Sequence, residues 1–460
     1  MIEKTEIDTK SEELGIHAAN VQRDYVFGWL LSGLYHPDNP LCKRLILKGG
    51  NCFRKAYFEQ ARYSNDLDFS TLTELTKEQL QNGIEYACKF AMEQSGVQFL
   101  TDQNRIGSRN SIKEESVFYD ARVYFKSFYG DENVTIKVEL DIKEYDKILL
   151  PVQARKLIHT YSDNELCKVN LQCWKLEELL AAKFKALLQR RHSPDLYDIV
   201  SAIFFQKFLN INRWEVISTF LKKTIYEPKP EIAKGLFLDL PFQVIRGLWN
   251  EFLVYPKPSL INFNDAETWF RTIINELFGL LQPRPAFVGT GGRTISYFRS
   301  RNRDTIFEAG RLQRLLRIVY DGVVRTVEPY SLAFKRRKDG VAQEYFYAWD
   351  RSGGRSRQIG IKSFISDKVQ SIQMTDESFE PRFPIELVKG PGYFAKPFSS
   401  STRPQETNRL RKKTYPSGIT YTIECPVCGK KFKRNKFDTR LNEHKDKYGN
   451  RCYGRIGIIV

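Results

Sequence analysis

Residues 44–69 constrain this chain more than any other stretch. Arg44-Leu45-Ile46-Leu47-Lys48 holds an apolar run of the length of a buried strand. Gly49-Gly50 ends it, because glycine takes backbone angles closed to other residues and lets a ligand come close. Asn51 is placed to cap a helix running through Phe53, Ala56 and Tyr57. Asp66-Leu67-Asp68-Phe69 then returns to a strand. Alternate strand residues share a face, so Asp66 and Asp68 point one way while Leu67 and Phe69 enter the core. Two carboxylates this close repel each other unless a cation sits between them. Mg²⁺ suits such an all-oxygen site and keeps positions open for water and phosphates. An isolated Asp-x-Asp is most often a solvated strand face; the preceding strand, the Gly-Gly turn and the helix-length spacing reverse that preference. The phosphate-loop alternative fails, since no Gly-x-x-x-x-Gly-Lys-Ser/Thr is present.

Lys48-Gly49-Gly50 followed by Arg62-x-Ser64-x-Asp66-Leu67-Asp68-Phe69 resembles the AbiEii/AbiGii toxin family, a branch of the DNA polymerase β-like nucleotidyltransferases. The resemblance implies an α+β domain with a helical second half. It implies transfer of a nucleoside monophosphate from a nucleoside triphosphate to RNA, with the tRNA 3′ end as one candidate acceptor. Lys48, Gly49, Gly50 and Ser64 would bind the nucleotide, and Asp66 and Asp68 would hold two Mg²⁺ ions with a third carboxylate. The setting would be a toxin or phage-defence effector, with an antitoxin protein as partner.

The third carboxylate should lie on a neighbouring strand. Residues 117–128 and 133–143 read as two strands of a hairpin turning at Tyr129-Gly130-Asp131. In the second, Val134, Ile136, Val138, Leu140 and Ile142 form one face, and Thr135, Lys137, Glu139, Asp141 and Lys143 the other. Asp141 is the preferred ligand and Glu139, on the same face, its rival. A long helical stretch at 174–205, broken at Pro194, is similar to the family's Glu-Glu-hydrophobic-hydrophobic-Ala-x-Lys helix and the segment after it. On that resemblance Lys183 would hold the triphosphate, and Asp195 and Asp198 match two later aspartates. Where the family has arginine before the first of these, this chain has Pro194. Asp195 reads equally well as a helix N-cap.

The 460 residues admit two or three domains, and 42% hydrophobic content supports real cores. Acidic and basic residues crowd the N-terminus, unlike a secretory signal, and no apolar run spans a membrane. The expectation is a soluble, cytoplasmic protein with no membrane partner. A net charge of +17 favours polyanions such as nucleic acid. Cys42, Cys52, Cys88, Cys167 and Cys173 are scattered and read as reduced structural thiols.

Residues 1–285 are expected to form the nucleotidyltransferase domain, and 283–304 a basic linker. Short strands with turn signals at 305–389, including Asp321-Gly322, suggest a small SH3-like β-barrel. The run from Tyr320 through Tyr345-Phe346-Tyr347-Ala348-Trp349 to Phe379-x-Pro381 resembles WYL domains, which sense ligands or nucleic acid. Residues 390–416 read as a flexible basic linker. In 417–460, Cys425-x-x-Cys428, His444 and Cys452 have the ligand types and spacing of a closed, structural, C2HC-type Zn²⁺ finger. Two further readings remain open: a non-catalytic nucleic-acid-binding regulator, and a nucleotidyltransferase acting on a protein hydroxyl.

Overall fold

The computed structural model describes residues 2–110, 117–127, 135–144, 146–281, 295–336, 341–387, 421–425, 428–434, 440–445, 451–452 and 458–459. The first half is built on strands β1 (Ile46–Lys48), β2 (Asp66–Thr71), β3 (Arg105–Asn110), β4 (Val117–Lys126), β5 (Thr135–Glu144), β6 (Gln153–Lys156) and β7 (Asn170–Cys173). They form one mixed sheet in the order β3-β4-β5-β2-β1-β7-β6. β2 is central, antiparallel to β1 and parallel to β5. Its alternation is as expected: Leu67 and Phe69 are fully buried, while Asp66 and Asp68 are partly exposed. β5 alternates in the same way, with Ile136, Val138, Leu140 and Ile142 in the core. The turn expected at 129–131 lies outside the described residues.

Helices α1 (Lys4–Leu14), α2 (Ala18–Leu34), α3 (Gly49–Cys52) and α4 (Lys77–Ser95) belong to this sheet. α2 is apolar nearly all round and accordingly buried on almost every side. Its one buried acid, Asp24, receives Arg54 (2.7 Å) and Lys55 (2.9 Å), which lie on the π-helical turn Phe53–Tyr57 that follows α3. The helical second half comprises α5 (Leu176–Arg190), α6 (Ser193–Val200), α7 (Arg213–Lys223), α8 (Pro230–Leu238), α9 (Phe242–Gly247), α10 (Trp249–Phe252) and α11 (Phe263–Gly279). Phe184, Phe220, Phe237 and Phe270 meet there mostly edge to face, in one continuous core with the sheet.

A second unit begins with α12 (Ser300–Leu312) and continues through β8 (Arg314–Tyr320), β9 (Val323–Arg336), β10 (Ala342–Asp350), β11 (Gly360–Ile365) and β12 (Val369–Ser378). Asp321 and Gly322 both take positive φ (50° and 74°), giving the tight turn expected from the sequence. The strand order is β11-β10-β9-β8-β12. Its two edge strands are joined only by the short turn Ser366–Lys368. Laid flat, five strands at about 4.8 Å spacing would hold those edges about 19 Å apart. Four Cα steps reach about 14 Å at most, so the sheet must roll. No ladder joins β11 to β12 among the described residues, so the closed barrel expected from the sequence is instead a rolled, open sheet. Of the linker or basic loop expected at 283–304, residues 283–294 lie outside the described residues, and the rest runs into a helix. α12 begins at Ser300 and buries Arg303, because Glu344 of β10 lies within the same core to receive it.

Short strands β13 (Tyr421–Glu424), β14 (Lys431–Arg434), β15 (His444–Lys445), β16 (Arg451–Cys452) and β17 (Ile458–Ile459) complete the description. The linker expected at 390–416 lies outside the described residues. No helix among the described residues is long and apolar enough to cross a membrane.

Candidate active site

The turn between β1 and β2 is set by close packing at Gly49. Its φ is +73°, and a Cβ there would stand 2.0 Å from Asp68 Oδ2, so only glycine lets the backbone pass. α3 starts at Gly49 with Lys48 in the cap position, three residues earlier than an Asn51 cap would place it. Asn51 acts elsewhere, as its Nδ2 donates to the Asp66 carbonyl (2.5 Å) and ties the helix to β2. Ser64 Oγ donates to Asp66 Oδ1 (2.8 Å) and fixes that carboxylate's rotamer.

Register brings both candidate acids beside the pair, and their side-chain partners then separate them. Asp68 faces Asp141 directly across the parallel ladder, and Asp66 faces Glu139. One carboxylate oxygen from each of Asp66, Asp68 and Asp141 lies within 4.8 Å of the other two. Glu139 is turned to cations instead, Lys137 Nζ at 2.6 Å and Arg122 Nε at 3.9 Å. Asp120 of β4 is the antiparallel partner of Asp141 and adds a fourth acid on this face.

A cationic cluster borders the trio. Lys183 Nζ lies between Asp195 Oδ1 (3.1 Å) and Asp198 Oδ2 (2.7 Å). Arg62 grips Asp198 with two donors, Nε at 2.8 Å and one Nη at 3.0 Å. Arg190 does the same to Asp195, at 2.6 and 2.7 Å. Burial alone would raise the Asp195 carboxyl, but Arg190 and Lys183 hold it well below the usual carboxylate range. Asp195 does not cap α6; His192 occupies that position, and the Asp195 side chain is committed to the two cations. The fields of Asp68 and Asp66 reach Arg190 and contribute to its raised pKa, after burial (which lowers it) and Asp195. Arg190 thus brings a cation to Asp195 from the end of the preceding helix. Neither Arg190 nor Arg62 was singled out by the sequence, although Arg62 lies within the motif; the Arg190-Arg191 pair closing an apolar helix was the available signal.

His192 sits against this cluster. Burial, with Asp195 opposing and Arg190, Arg62 and Lys183 assisting, lowers its imidazole to about 3. The unfolded chain thus takes up the proton near pH 6.5 while the folded chain stays neutral. Stability is unaffected above that pH and falls as pH drops from 6.5 towards 3. Urea unfolding of wild type and His192→Gln at pH 7, 6, 5 and 4 should show the variant free of a component of up to about 1.4 kcal/mol per pH unit. Parallel curves for the two proteins would contradict this.

Lys48, proposed above for the nucleotide, donates to Asp146 Oδ2 (2.5 Å) and stands over Trp174 at 5.4 Å. Lys143 also reaches Asp146, at 3.0 Å. Against the opposing effect of burial, the two lysines hold the Asp146 carboxyl far below its ordinary value.

A separate cluster lies in the C-terminal segment. The ligand atoms of Cys425, Cys428, His444 and Cys452 all fall within 4.8 Å of one another. Cys425 Sγ and Cys452 Sγ are 3.7 Å apart, too far for a disulfide and close to the edge of a tetrahedron with ~2.3 Å metal–sulfur bonds. Cys428 Sγ is 3.3 Å from His444 Nε2, and His444 Nδ1 meets the Asn442 carbonyl at 2.9 Å. That second contact selects the tautomer leaving Nε2 free to ligate. The scattered cysteines are free thiols, as expected.

A glycine turn feeding a strand-borne carboxylate pair, with a third acid across the ladder, is the arrangement of a nucleotidyltransferase. The protein is a nucleotidyltransferase: residues 32–256 match the family described as "Nucleotidyl transferase AbiEii toxin, Type IV TA system" and carry a domain of that kind. Among solved structures, the chain is similar to JHP933 from Helicobacter pylori, at 14% identity and TM-score 0.37, covering 57% of this chain and 94% of that one. It is also similar to MenT4, a nucleotidyltransferase toxin from Mycobacterium tuberculosis H37Rv, at 18% identity and TM-score 0.38, covering 60% and 90%. No curated protein matches the chain.

Proposed function

We propose that the protein transfers a nucleoside monophosphate from a nucleoside triphosphate to a hydroxyl of RNA, with the tRNA 3′ end as one candidate, and acts as the toxin of a toxin–antitoxin pair or as a phage-defence effector. The observation that carries this reading is the convergence of Asp66, Asp68 and Asp141 beside the Gly49-Gly50 turn. The donors are all hard oxygens, which fits Mg²⁺. When bound, Mg²⁺ supplies charge neutralisation on the triphosphate and acidifies the acceptor hydroxyl. Asp66, Asp68 and Asp141 would hold two such ions. The Gly49 and Gly50 backbone, Ser64 and Lys48 would position the phosphates, Lys48 exchanging its bond to Asp146 to do so. Lys183 and Arg190, held in place by Asp195 and Asp198, would supply positive charge to the triphosphate. In the transfer, the acceptor hydroxyl loses its proton to solvent, its oxygen bonds to the α-phosphorus, the bond from that phosphorus to the α–β bridging oxygen breaks, and pyrophosphate leaves with that oxygen. An antitoxin would be the natural partner of such a domain.

The test is incubation with each labelled nucleoside triphosphate, Mg²⁺ and total RNA. Label should enter RNA and be lost in Asp66→Ala/Asp68→Ala. Absence of transfer, or equal transfer by the double variant, would end this reading; label on protein would redirect the acceptor to a protein hydroxyl. Sequence-preferring DNA binding without nucleotide turnover would instead favour a regulator.

The Cys425, Cys428, His444 and Cys452 cluster fits Zn²⁺ in ligand type and spacing, and a closed four-ligand site is structural. When bound, Zn²⁺ supplies folding free energy that so small a module cannot draw from its own core. Together with Lys430 and Lys431, this finger and the rolled WYL-like sheet would recruit or sense nucleic acid. Elemental analysis should find zinc in wild type at one ion per chain and none at this site in His444→Ala. Equal zinc content in the two proteins would refute the assignment.

A further inference from the structure

The last turn of α5 carries two engagements at once. On one side Arg190 grips Asp195 beside the acidic trio. On the other, the residues flanking it are held by the second unit. The Leu188 carbonyl, one of those a helix leaves unsatisfied at its C-terminus, accepts from an Arg303 Nη of α12. The other Nη of Arg303 donates to Glu344 Oε1, whose second oxygen accepts from the Phe298 amide (2.9 Å). Gln189 Nε2 donates to the Leu332 carbonyl of β9 (3.0 Å). Arg191, with left-handed backbone at φ 51°, pairs with Asp304 (2.6 Å) and lies 4.4 Å over Phe307. Arg303 and Glu344 are almost completely buried, and Tyr226 packs edge-on against Phe334 across the same seam. A cation at a helix C-terminus is also favoured by the helix dipole.

Of the four consecutive residues 188 to 191, Leu188, Gln189 and Arg191 are thus anchored to the second unit and Arg190 to the site. A solvated surface arginine would explain none of this, since an ion pair this buried is tolerated only where its remaining donors are satisfied. We propose that the second unit is a positioning device for the nucleotide site: Arg303, backed by Glu344, locks the C-terminal turn of α5 so that Arg190 and Lys183 face the triphosphate. Arg303 is a positioning residue, acting through Leu188 and Arg190. The inference rests on reading this site as the centre of nucleotidyl transfer.

Full-length protein is compared with three variants: Arg303→Met/Glu344→Gln, which removes both buried charges together; Asp304→Ala, at an exposed position; and Arg303→Lys, which keeps the charge but loses the fork that reaches Leu188 and Glu344 at once. The readouts are thermal midpoint, amide hydrogen exchange across residues 187–196, and KM and kcat for the nucleoside triphosphate. The charge-free pair should fold, exchange faster at Gln189–Arg191, and raise KM by about tenfold, as small misplacements of a binding group do. Asp304→Ala should shift KM in the same direction at an unchanged thermal midpoint. Arg303→Lys should recover more stability than KM, a split that a merely structural role would not produce. Wild-type exchange and KM in a folded charge-free pair would overturn the proposal. Should wild type transfer no label at all, the transfer reading fails separately, and the exchange arm still decides: unchanged protection at 187–196 overturns the coupling, and faster exchange sustains it.

Discussion

Replacing Asp68 with asparagine should abolish nucleotide transfer while leaving the fold intact. The side chain keeps its shape but loses the charge that makes it a ligand for a hard cation. A catalytic metal contributes several kcal/mol of transition-state stabilisation, and losing about 4 kcal/mol of it slows the reaction about 10³-fold. Asp141→Asn should match it, because Asp141 stands directly across the ladder from Asp68. Glu139→Gln should remain within a few-fold of wild type, since its carboxylate is already occupied by Lys137 and Arg122. Initial rates of label transfer distinguish the two acids; an active Asp141→Asn with a dead Glu139→Gln would exchange their roles. A second signature accompanies the first. Three crowded carboxylates repel one another, so without Mg²⁺ the Asp68→Asn and Asp141→Asn variants should melt no lower than wild type.

The largest stability effect should come from a residue that never approaches substrate. Asp24→Asn removes the counter-charge of two buried cations. Asp24 is 2% exposed, Arg54 4% and Lys55 1%. The same carboxylate also accepts from the Tyr161 hydroxyl (3.0 Å), and burial's upward pull on it is overcome by Arg54 and Lys55. Breaking a buried pair on one side is worth about 3–5 kcal/mol, a large share of a typical domain's stability. Urea unfolding of Asp24→Asn should show that loss or no folded baseline at all. Asp24→Asn combined with Arg54→Met and Lys55→Met should regain much of it, because no charge is then left stranded. A wild-type midpoint for the single variant would show that water reaches the cluster.

How much of this was legible in the sequence follows the range of the interactions. Asp66-Leu67-Asp68-Phe69 announced its own two faces, because strand alternation is local. The β5 alternation was equally plain, and an oxygen of Asp141 lies within 4.8 Å of one from each of Asp66 and Asp68. Register sets both Asp141 and Glu139 opposite the pair, and what separates them is the cations that engage Glu139, one of them, Arg122, brought in by the neighbouring strand. Asn51 looked like a cap, yet the Asp66 carbonyl competes for its amide. Asp24 disappeared into the apolar stripe of α2, since its partners lie 30 residues on. Arg303 looked like part of a basic linker because Glu344 is 41 residues away. The strands of the second unit were nearly all visible. Whether their edges meet depends on curvature, which short strands and turn signals do not encode, and the described edges stay open.

The sheet order has one more consequence, for how the chain is made. β2 leaves the ribosome carrying two of the three acids, but its neighbour β5 follows only about 70 residues later, and Lys183 and Arg190 later still. Until then the pair has neither its third ligand nor the bordering cationic cluster. A chain that ends before residue 190 lacks part of this cluster, so the site is assembled only after about the first two-fifths of each round of synthesis.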